Sequence, residues 1–298
     1  MTGLLPLIKR NIKLFFKDRG MFFSSLITPM ILLVLYVTFL ARVYHDSFVS
    51  ALPAGMTVPE GLIDATVGGQ LVSSLLAVAC VTVAFCSNLL MIGDKVSGAI
   101  RDLTVTPLKR STLALSYFLS SALSTLIITF SALAVCLVYL AIVGFYMSFG
   151  DVLLVALDVL LLTLFGTALS SCVNFPLSTN GQASAVGTIV SAGYGFLCGA
   201  YMPISQFSTG LQRVLSFLPG TYGTSLLRNH SLAGVYREMD KIFPREVVEG
   251  IRDSIDCNIY FFDTKVSVGA MYLILALSVL LCVGIYVALN VLCKKKRK

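Results

Sequence analysis

Long apolar blocks account for most of this sequence. Six of them are about 20 residues or longer, the length that an α-helix needs to cross a bilayer. Only 12% of the 298 residues are charged, about half the fraction that is usual in soluble domains. We therefore predict an all-α membrane protein with a single transmembrane domain over residues 1–298. Its six spans are expected at residues 21–41, 66–92, 113–143, 152–173, 183–202 and 266–292.

Basic residues lie at the ends of these blocks and predict the orientation of the chain. Lys and Arg precede the first span, lie between spans two and three, and form the tail at 294–298. The loops at 43–65 and 144–151 contain neither residue. By the positive-inside rule, both termini and the segment 94–107 are expected in the cytoplasm. The net charge of +7 is thereby explained by topology, and no nucleic-acid partner is expected.

Residues 1–20 have the pattern of an amphipathic helix. Three lysines fall on one face, and apolar residues recur on another at Ile8, Ile12, Phe15 and Phe16. Such a helix lies along the membrane surface. It either serves as a topogenic anchor only or also packs on a cytoplasmic partner, and the sequence leaves both readings open.

The fifth predicted span carries a small residue at every fourth position. These residues form one smooth helix face, at Ala183, Gly187, Ser191, Gly195 and Gly199. Faces of this kind let helix backbones approach closely. The packing could be within one subunit or between subunits.

The segment after this span is apolar but is interrupted by prolines and glycines. Between Pro203 and Pro219 the apolar core is too short to cross a bilayer. We predict re-entrant helices there, which a membrane tolerates only where protein buries the turn; an ordinary surface helix is the alternative. The re-entrant and extracellular region is expected over residues 203–263, and its polar part is too short for an independent domain.

The residues that would carry catalysis or bind a metal are missing. The two histidines lie in separate segments, the eight cysteines form no CxxC motif, and no Gly-Lys dipeptide is present for a phosphate-binding loop. We therefore expect a non-enzymatic chain that binds no metal. Asp158 is the only charge well inside a span, and such a group is either functional or structural. Asn88, near a span end, is a second candidate for the substrate pathway, although an interhelical hydrogen bond would also explain it.

A charged island lies between spans two and three. Residues 94–107, DKVSGAIRDLTVTP, separate two uncharged runs, and charges at this density are excluded from hydrocarbon. Gly98 permits a tight turn or a close approach, and Pro107 fixes the chain as it re-enters span three. A plain topogenic connector needs basic residues but neither this glycine nor this proline, so the island is expected to make a specific contact.

Seven residues of this island and its border resemble a loop motif of the type II ABC exporter permeases: Asp94, Lys95, Gly98, Leu103, Thr106, Pro107 and Arg110. The sequence departs from that motif at Val96, where a second acid is common, and at Ala99, where Thr is common. The amphipathic helix, the basic loop and the proline-bracketed segment follow the order of that family over nearly the whole chain.

The resemblance implies the permease subunit of an ATP-driven exporter in a bacterial plasma membrane. Two separate ABC ATPase subunits would bind ATP and Mg, and a second permease copy, identical or different, would complete the pathway. Spans one and five commonly form the subunit interface in this family. The island would be a coupling helix in a groove of the ATPase, with contacts from Asp94, Lys95, Gly98, Ile100, Arg101, Asp102, Leu103 and Pro107.

The expected cargo is amphipathic: a drug, a lipid-like molecule or a small peptide. Apolar linings favour it over a sugar polymer, although polysaccharide export remains the alternative within the family. A membrane sensor or assembly subunit that transports nothing is the alternative from another class. An ion-driven carrier is disfavoured because the spans lack a ladder of ionisable residues.

Overall fold

The computed structural model describes residues 3–51, 58–105 and 108–292. Over these residues the chain forms fourteen α-helices and one short hairpin. Pro107, the end of the predicted coupling loop, lies outside the described residues. The predicted basic tail at 294–298 lies outside them as well.

The helices are numbered along the chain. Their bounds are α1 Leu4–Lys17, α2 Arg19–Leu35, α3 Ala41–Ala51, α4 Glu60–Ser87, α5 Leu89–Val96, α6 Ala99–Val105, α7 Arg110–Val143, α8 Phe149–Asn174, α9 Asn180–Leu197, α10 Thr209–Leu215, α11 Pro219–Ser231, α12 Ala233–Ile242, α13 Arg245–Ser254 and α14 Val268–Leu292. A π-helical turn, Tyr36–Leu40, joins α2 to α3, and a 3₁₀ turn, Ile204–Gln206, precedes α10. Strands β1 (Tyr260–Phe261) and β2 (Thr264–Lys265) pair in an antiparallel hairpin.

Five helical stretches among the described residues are long and apolar enough to cross a membrane. They are Arg19–Asp46, Glu60–Val96, Arg110–Val143, Phe149–Asn174 and Val268–Leu292. These stretches correspond to the predicted spans one, two, three, four and six. α9, at the place of the fifth predicted span, has 18 residues and begins with Asn, Gly and Gln, so it is less apolar. The all-α membrane class is confirmed, and the count of six spans stays a prediction.

α4 lies at the centre of the bundle. Nearly all of its side chains are buried, because α2, α7, α8, α9 and α11 pack around it. Small residues make this packing close. A Cβ atom on Gly166 of α8 would lie 2.8 Å from the Cys80 carbonyl oxygen of α4, so glycine at this position lets the two backbones touch.

The predicted N-terminal helix is present as α1, and it packs along α7. Its buried residues are Leu7, Asn11 and Phe15. Ile8 and Ile12, on the predicted apolar face, are half-buried. Asp18 separates α1 from α2, and its carboxylate accepts a hydrogen bond from the Met21 N–H at 3.1 Å. This capped turn at Asp18, the elbow, redirects the chain from α1 into the first candidate span.

Helices α10 to α13 and the hairpin gather at the end of the bundle where α4, α8 and α14 begin. α11 is inserted between those three helices, and nearly all of its residues are buried. α12 and α13 pack with the first turns of α4 in a second apolar cluster. We call this the outer end, and we call the opposite end, which carries α1, α5 and α6, the inner end.

Candidate functional site

The island of residues 94–105 is a turn followed by a separate short helix. α5 ends at Val96 and α6 begins at Ala99. Between them, Gly98 has a φ of +81°, a left-handed conformation that costs other residues about 1–2 kcal/mol. No atom lies within 4 Å of the position that its Cβ would take. Gly98 therefore supplies a turn rather than a close approach.

Asp94 fastens this segment to two other helices. Its buried carboxylate accepts two hydrogen bonds from the Arg10 guanidinium of α1, at 2.7 and 3.0 Å. The Tyr117 hydroxyl of α7 donates a third at 2.6 Å. The hydrogen bond to Asp94 raises the pKa of Arg10, because the carboxylate stabilises the charged guanidinium. We call these three residues the Asp94 anchor.

Lys95 fastens the same segment to the end of α8. Its ammonium donates hydrogen bonds to the backbone carbonyls of Asn174, Phe175 and Leu177, and it lies 5.3 Å from the centre of the Phe175 ring. The last carbonyls of a helix carry partial negative charge and lack intrahelical partners. Lys95 therefore caps α8, and the two adjacent charges of the island join it to three helices.

The two apolar residues expected to contact a partner face inward. Ile100 and Leu103 are half-buried against an apolar cluster formed by α1, α5 and α7. The exposed apolar side chains of the segment are instead Val96, at 48%, and Val105, at 87%. Its exposed charged side chains are Arg101 and Asp102. Val96, which replaces an acid of the family motif, thus lies on the surface that a partner could reach.

The small-residue face of α9 is partly covered by its own chain. At Gly199 the backbone adopts a φ of +73° and turns back. The Tyr201 ring then lies on Gly195, where a Cβ would approach it to 2.3 Å, and its hydroxyl donates to the Ser191 carbonyl at 3.3 Å. The Cβ position of Gly187 is open. The part of this face at Gly195 is therefore covered by the same chain, whereas the part at Gly187 is uncovered.

A fully buried arginine joins three parts of the outer end. Arg228 of α11 is 1% exposed, and its guanidinium donates to the Asp256 carboxylate at 3.3 Å. It also donates to the Ser74 hydroxyl of α4, at 3.3 Å, and to the carbonyl of Gly199. Asp256 accepts further hydrogen bonds from two N–H groups of the turn that begins at Ile204. We call Arg228 and Asp256 the outer clamp.

The Asp256 carboxyl is under two opposing influences. Its burial raises the pKa, whereas the positive charge of Arg228 and the backbone N–H groups lower it, and the net shift is upward. Burial disfavours the charged form because it removes water from the carboxylate. The outer clamp is therefore a buried ion pair that depends on all of its hydrogen bonds.

Asp158 of α8 belongs to a second buried polar group at the outer end. Its carboxylate lies 2.6 Å from Nδ1 of His230 in α11 and accepts a hydrogen bond from the Tyr272 hydroxyl of α14 at 2.5 Å. We call these three residues the outer triad. Asp158 is 1% exposed, so it faces no passage in this conformation. Over the described residues, no set of three His, Cys, Asp or Glu side chains is placed to hold a metal ion.

Asn88 is buried at the junction of α4 and α5. Its amide donates hydrogen bonds to the hydroxyls of Ser170 and Ser171 in α8, at 3.0 and 2.8 Å. Next to it, the Ser87 and Thr125 hydroxyls lie 2.8 Å apart and join α4 to α7. Asn88 thus makes interhelical hydrogen bonds to α8, which was the alternative to a role in the substrate pathway.

Sequence reasoning missed the partners of these groups. Nothing in the sequence pairs Arg10 with Asp94, and His230 and Asp256 both read as parts of the polar outer region. One signal was available, because Arg228 is the only Lys or Arg between residues 214 and 236. A cation in so apolar a segment needs a carboxylate partner when it is buried.

Comparison with known families agrees with this arrangement. The sequence profile of the ABC-2 type transporter family matches residues 3–230, more than half of the chain. The chain belongs to this family. The ABC-2 domain is a membrane-spanning permease that associates with ABC ATPase subunits, and the matched residues include α1, the island and Arg228. No curated protein matches the chain significantly.

Proposed function

We propose that this ABC-2 permease is the membrane subunit of an ATP-driven exporter in a bacterial plasma membrane, with both termini in the cytoplasm. The observation that carries the proposal is α6, a short helix at the inner end that the adjacent Asp94 and Lys95 fasten to the spans. A topogenic loop needs basic residues but no such fastening. The segment 94–107 is then the coupling loop.

The fastening would let a partner move the spans. Asp94 connects the island to α1 and α7, and Lys95 connects it to the end of α8. A displacement of α6 is passed to these helices because packed interiors transmit strain. Two ABC ATPase subunits would bind ATP and Mg and hydrolyse the nucleotide. The permease itself would bind no cofactor and catalyse no reaction.

A second permease copy, identical or different, would complete the pathway. α2 and α9 leave apolar side chains uncovered, among them Phe23 at 62%, Ile27 at 53%, Ile189 at 70% and Phe196 at 51% exposure. We propose that these faces meet the second copy, in keeping with the family's use of spans one and five. Gly187, with its open Cβ position, would then allow close approach.

The proposed cargo is amphipathic: a drug, a lipid-like molecule or a small peptide. Many polar side chains inside the bundle bond to one another, as Asn88 does to Ser170, although the side-chain amide of Asn174 is buried without a partner. The uncovered faces of the spans are apolar. Apolar linings with few polar groups suit ligands of that kind. Asp158 would reach cargo only if the outer triad opened. Residues 203–263, with Pro203 and Pro219, would form the re-entrant and extracellular closure.

Purification of the full chain from its native membranes in a mild detergent tests the proposal. An ABC ATPase and a permease copy are expected to co-purify. Val105→Arg should lose the ATPase, because it places a charge at the exposed end of α6. Phe262→Arg, on the outer hairpin and 49% exposed, is the control and should keep it. A wild-type chain that retains no ABC ATPase would overturn the proposal in favour of a sensor or assembly subunit.

A further inference from the structure

A lateral groove opens on the flank of the bundle between α2 and α7. Its volume is about 410 Å³, and Leu75 of α4 lies at its floor. The lining is apolar except for Ser131 of α7, whose hydroxyl already donates to the Ile127 carbonyl at 2.7 Å. The groove therefore offers an apolar ligand contact surface and offers a polar ligand almost no hydrogen-bonding group.

The length of the groove matches one leaflet of a bilayer. On α2 its lining runs from Phe22 to Leu33, a stretch of twelve residues whose eleven steps of 1.5 Å rise about 16 Å. The hydrocarbon core of a bilayer is about 30 Å thick, so one leaflet contributes about 15 Å. A single acyl chain that enters at the elbow would thus be covered over the depth of its own leaflet.

The mouth of the groove is basic. Phe16 of α1 and Phe22 of α2 line it on either side of the elbow. Lys13, Lys17 and Arg19, each within three residues of Phe16 or Phe22 in the sequence, are exposed, and no carboxylate of the described residues forms a salt bridge with any of them. The elbow's own carboxylate also caps α2, so it and the three basic residues give the mouth a formal net charge of +2. Three cations at the end of an acyl-sized groove are complementary to a phosphate headgroup.

We infer that this groove holds one acyl chain of an anionic phospholipid from the surrounding bilayer, with the phosphate held by Lys13, Lys17 and Arg19. The lipid is a resident ligand and not the cargo, so the inference goes beyond the proposed function. Its site lies where α1 turns into the first span. Because α1 also carries Arg10 of the Asp94 anchor, the lipid would steady the helix that braces the coupling segment.

Single-tryptophan fluorescence tests this directly, because the chain contains no tryptophan. Met30 lines the groove and is 55% exposed, whereas Leu281 of α14 is 65% exposed and does not line it. Met30→Trp is the reporter and Leu281→Trp is the control, because each residue lies eleven positions from the inner end of its helix. Each full-length variant is reconstituted in vesicles of equal parts phosphatidylglycerol and phosphatidylcholine, with brominated acyl chains on one lipid or the other.

Brominated phosphatidylglycerol is expected to quench Met30→Trp more strongly than brominated phosphatidylcholine does. The Leu281→Trp control should be quenched equally by both lipids. Adding Lys17→Gln and Arg19→Gln to the reporter should lower the preference about thirty-fold, because each basic residue near an anionic surface contributes about fivefold to the attraction. Lys265→Gln, at the outer hairpin, should leave the preference unchanged.

Three results would overturn the inference. Equal quenching of Met30→Trp by both lipids would make the groove unselective. Quenching by neither lipid, with Leu281→Trp quenched normally, would show that a second copy or another protein covers the groove. A preference that survives the Lys17→Gln and Arg19→Gln changes would place the headgroup elsewhere. None of these results depends on the presence of an ATPase, so they are independent of the exporter proposal.

Discussion

The two ends of this bundle both bury an aspartate beside an arginine, but they bury the pair to different extents. In the outer clamp the side chains of Arg228 and Asp256 are 1% and 5% exposed. In the Asp94 anchor the Arg10 side chain remains 32% exposed and Asp94 is 8% exposed. Water can therefore solvate Arg10 when its pair opens, whereas Arg228 would be left in a medium of low dielectric constant.

This difference indicates a division of labour between the ends. The outer clamp and the outer triad join α4, α8, α11 and α14 through buried groups whose separation costs much free energy. The outer end should therefore be rigid. At the inner end, water can replace the protein partner of a charged group such as the Arg10 guanidinium. A partner that acts on α6 would therefore move the inner end more readily than the outer end.

The largest expected effect is from Arg228→Gln. The change leaves Asp256 buried without its counter-ion and should destabilise the fold by about 3–5 kcal/mol. Arg10→Gln removes the same functional group at the inner end, yet it should cost only about 1.5–3 kcal/mol, because Tyr117 still donates to Asp94 and water can replace the guanidinium. Thermal unfolding midpoints in detergent measure both. Equal losses would contradict the proposed difference between the ends.

The next effect is functional and concerns the exposed island. Gly98→Arg should lower substrate-stimulated ATP hydrolysis by the assembled transporter at least about tenfold, while the permease still inserts in the membrane. Arginine combines the left-handed strain with bulk at the surface where the ATPase is proposed to dock. Gly98→Ala carries the strain without the bulk and should lose about fivefold at most. Normal stimulated hydrolysis in Gly98→Arg would refute the coupling assignment.

A smaller effect is expected at the outer triad. Asp158→Asn keeps the size of the side chain but removes the charge that His230 and Tyr272 face. It should lower export several-fold and leave expression nearly unchanged. Tyr272→Phe removes one hydrogen bond to the same carboxylate, so the two changes should be non-additive by about 0.5–3 kcal/mol in stability. Unchanged export in Asp158→Asn would leave the triad a purely structural feature.

The long helices could be predicted from sequence because an uncharged run of that length has no other stable form in a membrane. α7, α8 and α14 begin and end within three residues of their predicted bounds. α9 matches its predicted bounds less well, because it begins three residues before the predicted start and ends five residues before the predicted end. The charged island was recognisable because it interrupts two apolar runs and follows a family motif.

The interactions that give the sites their geometry could not be predicted. Arg10 and Asp94 are 84 positions apart, and only the packing of α1 on α7 brings them together. The small-residue face of α9 was predicted to let a helix backbone approach closely, yet at Gly195 it is covered by the Tyr201 ring of the same chain. Sequence spacing shows which face a residue occupies but not what covers that face.

The smallest expected effect separates the influence of burial on the strength of an ion pair from the influence of its position in the bundle. Glu249 and Lys265 form an ion pair at the outer end, but both side chains are at least 40% exposed. The hydrogen bond from Lys265 lowers the pKa of Glu249 below its usual value of 4.5. The pair therefore contributes stability above that pH, and the contribution is lost as the pH falls through the lower pKa of the folded state.

Glu249→Gln should accordingly lower stability at pH 7 by less than about 1 kcal/mol, because water screens an exposed pair. The difference between the variant and the wild type should be smaller at a pH below 4.5 than at pH 7. Thermal unfolding of both proteins at the two pH values checks this. A loss at pH 7 as large as that of Arg228→Gln would mean that position at the outer end, rather than burial, determines how strongly a charge pair holds this fold together.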